Sequence, residues 1–317
     1  MSAHKLIVVT PVYEDRDVAE RLFRELRALY GATLFVLAVD DGSVREPLTV
    51  EVLERAKVDG AILRLVRNVG HQRAIAIGLG YVAQIVQEGQ TVVVMDSDGE
   101  DLPGSIKDLL DELRDERVDM AVAARRSRVE TFRFKAFYVL YRLMFRVMTG
   151  KQIGFGNFMA LKPHAVRRLA SMQELQIHAA ATAISSKLRI AVTSIARGPR
   201  YAGQSKMNFV GLVLHGFKAM MVFAEDVLVR VGVSCAGVGV ITVLGIVSAI
   251  ALKLTGYSTP GWFSVALGLM TLILMQTGAL TLMTLMLVGV MRAGNVATKV
   301  CYQDFIEKIM EHRVSND

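Results

Sequence analysis

Four carboxylates fall within six positions at Asp96-Ser97-Asp98-Gly99-Glu100-Asp101, and Leu102-Pro103 closes the segment. Carboxylates this dense repel one another unless a cation sits among them. Hard oxygen donors suit Mg2+ or Mn2+, ions that usually also hold substrate phosphates. The spacing marks Asp96 and Asp98 as metal ligands, with Glu100 as a further candidate, and a diphosphate as the group they would clamp. A calcium loop of EF-hand type does not fit. It needs Gly at position six and Glu at position twelve, and counting from Asp96 those places hold Asp101 and Lys107. Asp101 has a plainer reading, as an acidic residue at the N-terminus of the helix that carries Ile106, Leu109, Leu110 and Leu113.

Positive charge that could meet an anionic substrate is concentrated in two places. Arg197-Gly198-Pro199-Arg200 runs on through Ser205-Lys206, and Arg and Lys beside a Gly-Ser loop can cradle a phosphate. Arg125, Arg126 and Arg128 form the second group. Asp40 and Asp41 could be turn formers, yet a carboxylate at a strand end is also what grips a ribose or base. His71, His164, His178 and His215 are scattered without metal-ligand spacing and are taken as structural, His71 alone lying beside the acidic stretch.

The elements that must position these residues follow from hydrophobic pattern. Thr91 to Met95 is an apolar, β-branched run, as expected of a buried strand in a parallel sheet. Upstream, Leu6–Thr10, Leu34–Val39 and Ala61–Val66 have the same character, and Met120–Ala124 follows downstream, with amphipathic helices between them. All five runs end in polar clusters, which makes one edge of the sheet a binding face. The fold class is therefore α/β with a mostly parallel, Rossmann-like sheet. A dinucleotide-binding unit is not expected, because the first turn, Pro11 to Asp15, has no glycine. Phe132 to Met148 combines aromatic and apolar residues at 134, 137, 138, 141, 145 and 148 with Lys135, Arg142 and Arg146. That pattern suits a helix on an anionic leaflet.

The chain has 317 residues, 52% of them hydrophobic, and a formal charge of +7. The apolar excess is local. Val231–Leu252 and Trp262–Met291 carry no charge, and each is long enough to cross a hydrocarbon core of about 30 Å. A membrane hairpin is expected, and the net positive charge then points to a membrane surface rather than nucleic acid. Lys206, Lys218 and Arg230 flank one end, and Arg292 and Lys299 the other, so both termini should be cytoplasmic in an inner, multi-pass membrane protein. The N-terminus enters a strand directly, without a signal-peptide pattern. Cys235 lies inside the first span and Cys301 beyond the second, which argues against a disulfide framework.

Four motifs occur in order: Thr-Pro-Val-Tyr-Glu-Asp at 10–15, Val-Asp-Asp-Gly-Ser at 39–43, Arg-Asn-Val-Gly-His at 67–71 and Asp-Ser-Asp-Gly-Glu-Asp-Leu-Pro at 96–103. Together they resemble family-2 inverting glycosyltransferases of GT-A fold, and more narrowly the polyprenyl-phosphate glycosyltransferases, the dolichol-phosphate mannose synthase and GtrB-like group. The resemblance implies a hexosyltransferase that moves sugar from a nucleotide sugar, UDP-glucose by default, to a polyprenyl phosphate such as undecaprenyl phosphate. It implies that Pro11, Tyr13, Glu14, Asp40, Asp41, Asn68 and Asp96 border the nucleotide, and that Asp96, Asp98 and Glu100 hold Mg2+ or Mn2+. The family more often has Gln at the third place. Asp98, Asn157 and Arg126 are the residues assigned to the reaction itself. Arg125, Arg128, Arg200, Ser205 and Lys206 are assigned to the lipid phosphate. Relatives often carry an acidic base where Asn157 stands; Asn cannot accept a proton, but a largely dianionic lipid phosphate needs little deprotonation. The expected organisation is a GT-A domain over 1–206 with an interface helix at about 131–149, then a juxtamembrane helix over 207–226. A hairpin over 227–292 follows, with spans at about 229–252 and 262–291, and then a tail over 293–317. Relatives of this architecture suggest a homo-oligomer.

Overall fold

The computed structural model describes residues 4–125, 132–202, 209–257, 259, 261–295 and 302–314. It divides into two compact units: Met1–Lys135 with Ile153–Val222 and Lys299–Asp317, and Ala136–Gln152 with Phe223–Thr298.

In chain order, the first unit begins β1 (Leu6–Val12), α1 (Arg16–Tyr30), β2 (Leu34–Asp40), α2 (Val50–Ala56), β3 (Asp59–Leu65), α3 (His71–Ile85) and β4 (Thr91–Val94). Next come α4 (Ile106–Glu112), β5 (Met120–Arg125) and α5 (Phe132–Thr149), most of α5 belonging to the second unit. The first unit continues with β6 (Phe155–Leu161), α6 (Pro163–Ala170), α7 (Ala179–Ser185), β7 (Ile190–Ile195) and α8 (Phe209–Met221). After α9 (Ala224–Leu254) and α10 (Trp262–Asn295), the chain supplies β8 (Ile306–His312).

The eight strands form one sheet in the order β7-β5-β6-β4-β1-β2-β3-β8. β1 pairs in parallel with β2 and β4, β2 with β3, and β5 with β7. β6 is antiparallel to both β4 and β5, and β8 is antiparallel to β3. The five strands expected from the sequence therefore point the same way, and their carboxyl ends share one edge. The central strands β1, β2 and β4 are buried on both faces. Ile7, Val9, Leu37 and Leu63 pack towards one layer, and Val8, Val36, Ile62 and Val93 towards the other. Burying each such side chain contributes about 1.5–3 kcal/mol, so these strands read as apolar throughout rather than alternating.

Two boundaries differ from the sequence expectation. β1 runs past Pro11 to Val12, because the proline loses only its N–H and the Val12 carbonyl still accepts from Asp41 N at 2.9 Å. The segment expected to be only a tail contains β8, joined to β3 from Gly60 opposite His312 to Leu65 opposite Ile306. Asp59 secures the strand's end, accepting Val314 N at 2.6 Å while His4 Nε2 lies 2.7 Å from its other oxygen. Tyr302 packs over Gly80 of α3, where a Cβ would stand 2.7 Å from its ring.

In the second unit, α9 and α10 pack antiparallel, Gly232 facing Thr284 and Gly245 facing Met270. Both are long and apolar enough to cross a membrane. With 31 residues, α9 reaches about 46 Å at 1.5 Å per residue. Ile241, Leu244, Leu272 and Met275 are exposed along them. On α5, Phe145 is buried edge-on against Phe223, while Val139, Leu143 and Val147 form an exposed apolar stripe beside Arg142 and Arg146. One of the aromatic positions marked in the sequence is thus a packing residue, and the exposed stripe is aliphatic.

Candidate active site

The β1 and β2 ends carry three carboxylates, each bound to loop backbone. Asp40 is fully buried, and its two oxygens accept Ser43 N and Leu48 N, both at 3.0 Å. Asp41 accepts Val69 N at 2.7 Å and Gly70 N at 3.0 Å, tying the β2 end to the loop that launches α3. Burial holds the Asp41 pKa above the ordinary carboxylate value, against those two N–H donors and the charge of His71. Gly42 lies between them with φ +69°, and a Cβ there would meet the Arg67 and Asn68 backbone at 2.4–2.5 Å, so only glycine fits. Glu14 has φ +50° and accepts the N–H groups of Val44, Arg45 and Glu46 at 2.8–3.2 Å. Those bonds, Val44 first, hold its pKa below the usual glutamate value. Pro11 is buried in β1, whereas Tyr13 and Asn68 are exposed at the same edge. The three carboxylates thus tie together the loops at the ends of β1, β2 and β3.

The acidic stretch beyond β4 is arranged differently. Asp101 does not cap a helix: its carboxylate accepts Asp96 N at 3.0 Å and closes the loop on itself, and α4 starts only at Ile106, after a 3-10 turn. Asp98 accepts Glu100 N at 3.0 Å and pairs with Arg200 Nη2 at 3.0 Å. Glu100 is paired with Arg200 Nε at 3.0 Å and with Arg197. Backbone bonds join the same two loops, Gly198 N to Glu100 O at 3.0 Å and Tyr201 N to Asp98 O at 2.9 Å. The Tyr201 ring lies over Gly99, where a Cβ would be 2.7 Å away, and its hydroxyl donates to Glu25 while Arg21 stacks on its face at 4.1 Å.

A third group reaches the acidic loop from α3 and β6. Ala179 N donates to Gln72 Oε1 at 2.7 Å, and Gln72 Nε2 donates to Asn157 Oδ1 at 3.2 Å. A backbone N–H can only donate, so this sequence of bonds fixes both amides and turns Asn157 Nδ2 towards His71 Nε2, 3.1 Å away. The same His71 nitrogen lies 3.1 Å from Asp96 Oδ1. Partial desolvation opposes a charge on the half-exposed His71 ring, but Asp96, Asp101 and Asp98 outweigh it and raise its pKa.

The structure thus brings Asp96, Asp98, Glu100, Asn157 and Arg200 together, with His71 beside them. Arg126, Arg128, Ser205 and Lys206 lie outside the described residues, as does the side chain of Arg125. Gln72 and Tyr201 were not singled out from sequence as site residues, and Arg197, read there as part of a phosphate cradle, meets Glu100. Gln72 could have been, as a polar residue on the buried side of the apolar run Ala74 to Leu79.

A divalent cation fits Asp96 and Asp98 by donor chemistry. Burial and the neighbouring Asp96 raise the Asp98 pKa in spite of Arg200, Arg197 and His71. No three His, Cys, Asp or Glu side chains among the described residues form a metal cage. Two carboxylates with the remaining positions left to phosphate oxygens and water is how Mg2+ is usually held.

Residues 7–175 match the model of glycosyl transferase family 2. The chain belongs to that family. It is 28% identical over 219 residues to an undecaprenyl-phosphate 4-deoxy-4-formamido-L-arabinose transferase of Enterobacter sp. (strain 638), covering 66% of this chain and 64% of that one. It is 27% identical over 214 residues to an uncharacterized glycosyltransferase of Synechocystis, 65% of each chain being covered. The match thus spans about two thirds of those relatives' length. The uncharacterized glycosyltransferase YkoT of Bacillus subtilis is 25% identical over 308 residues, covering 90% of this chain and 85% of that one. Among solved structures, a Mycobacterium tuberculosis glucosyl-3-phosphoglycerate synthase with Mn2+ and UDP-glucose superimposes with a TM-score of 0.49 at 15% identity, over 72% of this chain and 79% of that one. This family-2 chain combines a mostly parallel α/β sheet with two helices long and apolar enough to cross a membrane.

Proposed function

We propose that the protein transfers a hexose from a nucleotide sugar to a polyprenyl phosphate at the cytoplasmic leaflet, inverting the anomeric carbon. The observation that carries this reading is the meeting of the acidic loop with the Arg197–Arg200 loop at the sheet edge. It brings a diphosphate-holding group and a phosphate-binding group within one site. The undecaprenyl-phosphate relative supports the acceptor class.

Asp96 and Asp98 would hold Mg2+ or Mn2+. A cation bound there supplies the charge that stabilises the departing nucleotide diphosphate. The sheet edge whose loops Glu14, Asp40 and Asp41 hold, with Tyr13 and Asn68 exposed on it, takes the nucleotide. Arg200 and its neighbours hold the acceptor phosphate, whose oxygen attacks in line with the leaving group. Asn157 orients rather than deprotonates, consistent with an acceptor that is already anionic.

The helices α9 and α10 cross the membrane as a hairpin. Because β8 joins the same sheet as β1, the chain must cross an even number of times between them, which supports both termini facing one side. The exposed stripe of α5 with Arg142 and Arg146 suits the leaflet surface, and charge reversal at both arginines should weaken binding to anionic liposomes.

The test is incubation of the full chain in detergent with undecaprenyl phosphate and a panel of nucleotide sugars. A lipid-linked sugar phosphate detected by mass spectrometry is the expected result. Absence of lipid product from every donor would overturn the reading.

A further inference from the structure

Glu100 stands where a third metal ligand is expected, yet its surroundings suit a different task. It is 8% exposed, and both carboxylate oxygens meet guanidinium groups, Oε1 meeting Arg200 Nε and Oε2 meeting Arg197 Nη2. Its own carbonyl accepts Gly198 N, and Asp98's carbonyl accepts Tyr201 N, so side-chain and backbone contacts join the same two loops. Gly198 has no room for a side chain, since a Cβ would lie 2.7 Å from the Gly99 carbonyl oxygen and 2.4 Å from Leu102. Drawing Glu100 towards a cation would break two charged contacts in a region largely closed to water, where an ion stripped of its partner is strongly disfavoured.

We propose that Glu100 is a positioning residue that anchors the Arg197–Arg200 loop to the acidic loop, and is not a metal ligand. Arg200 is shared: its Nη2 meets Asp98 and its Nε meets Glu100. Were Asp98 to hold a cation, Arg200 would lose its Nη2 contact and keep its Nε contact with Glu100. Its Nη2 N–H groups would then be available to an anionic phosphate while Glu100 kept the loop in place. A glutamine here would offer only one acceptor and no charge to two arginines. The inference rests on the proposed metal and phosphate roles, but the anchoring can be measured without either.

The experiment is hydrogen exchange at the Gly198 and Tyr201 amides in the full chain, with no ligand, comparing wild type with Glu100→Gln, Glu100→Ala and Arg200→Gln. Exchange should quicken by about tenfold or more in Glu100→Ala, and by less in Glu100→Gln. Arg200→Gln breaks the pair from its other side and should also quicken it, which decides the matter if Glu100→Ala does not fold. In parallel, Mn2+ uptake with UDP should change by less than about threefold in Glu100→Gln and weaken by about tenfold or more in Asp98→Asn. Unchanged exchange in both Glu100→Gln and Arg200→Gln would overturn the proposal. So would a loss of Mn2+ in Glu100→Gln as large as in Asp98→Asn. A wild-type chain that took up no Mn2+ would instead overturn the metal reading, and exchange alone would then decide the anchor.

Discussion

Two sets of carboxylates line the same sheet edge, and they are bonded in opposite ways. Asp40, Asp41 and Glu14 have their oxygens on backbone N–H groups of neighbouring loops. Asp96, Asp98 and Glu100 meet the side chains of His71, Arg197 and Arg200, and Asp98 also accepts a backbone N–H, that of Glu100. Backbone donors cannot leave without unfolding the loop, whereas a guanidinium or imidazole can exchange one anion for another. The first set is built to hold shape and the second to trade partners. On one sheet edge, the same carboxylate chemistry is held by backbone in one place and by charged side chains in the other.

Substitutions should separate the two sets, the largest effect coming from the second. Asp98→Asn should lower transfer by about a hundredfold or more, because charge stabilisation of a leaving group is typically worth that much. Its melting temperature should stay within about 2 °C of wild type by the usual scaling for a chain of this size. Asp40→Ala should do the reverse. It strands two buried N–H groups, a loss of about 2–3 kcal/mol, with a fall in melting temperature of about 5–10 °C and turnover retained in the folded fraction. Equal loss of activity and equal loss of stability in both variants would dissolve the distinction. Gln72→Leu tests a case in between, since Gln72 orients Asn157 and through it His71 beside Asp96. It should lower kcat by about tenfold with KM nearly unchanged.

Acid gives the smallest effect. Glu14 has a folded-state pKa below the usual value, so its contribution to the loop is present above the ordinary glutamate pKa of about 4.3 and is lost as pH falls through the lowered value. Nucleotide affinity measured by calorimetry should be level from pH 7 to pH 5 and decline below about pH 4. Glu14→Gln should remove that decline. A decline already complete at pH 5 would place the sensitive group elsewhere.

The strands and the acidic loop were legible in the sequence for the same reason. β-branched runs such as Val92-Val93-Val94 announce a buried strand, and clustered carboxylates after one announce the ligand edge. The partners of those carboxylates were not legible. Arg197 meets Glu100 from 97 positions away in sequence, and only β7 running beside β5 brings its loop to the site. β8 was hidden too, because a charged edge strand such as Ile306–His312 looks like a polar tail until β3 is found beside it. Asp101 misled for a local reason. A 3-10 turn at Pro103–Ser105 delays the helix, leaving its carboxylate to close the loop on Asp96 N.

The most direct measurement is the metal dependence of sugar transfer to undecaprenyl phosphate by the wild-type chain, with Mn2+ present and then with EDTA. Lipid product is expected with Mn2+, with loss of product in EDTA and recovery when Mn2+ or Mg2+ is restored. Product formed equally well in EDTA would contradict it, because Asp96 and Asp98 would then have no cation to hold.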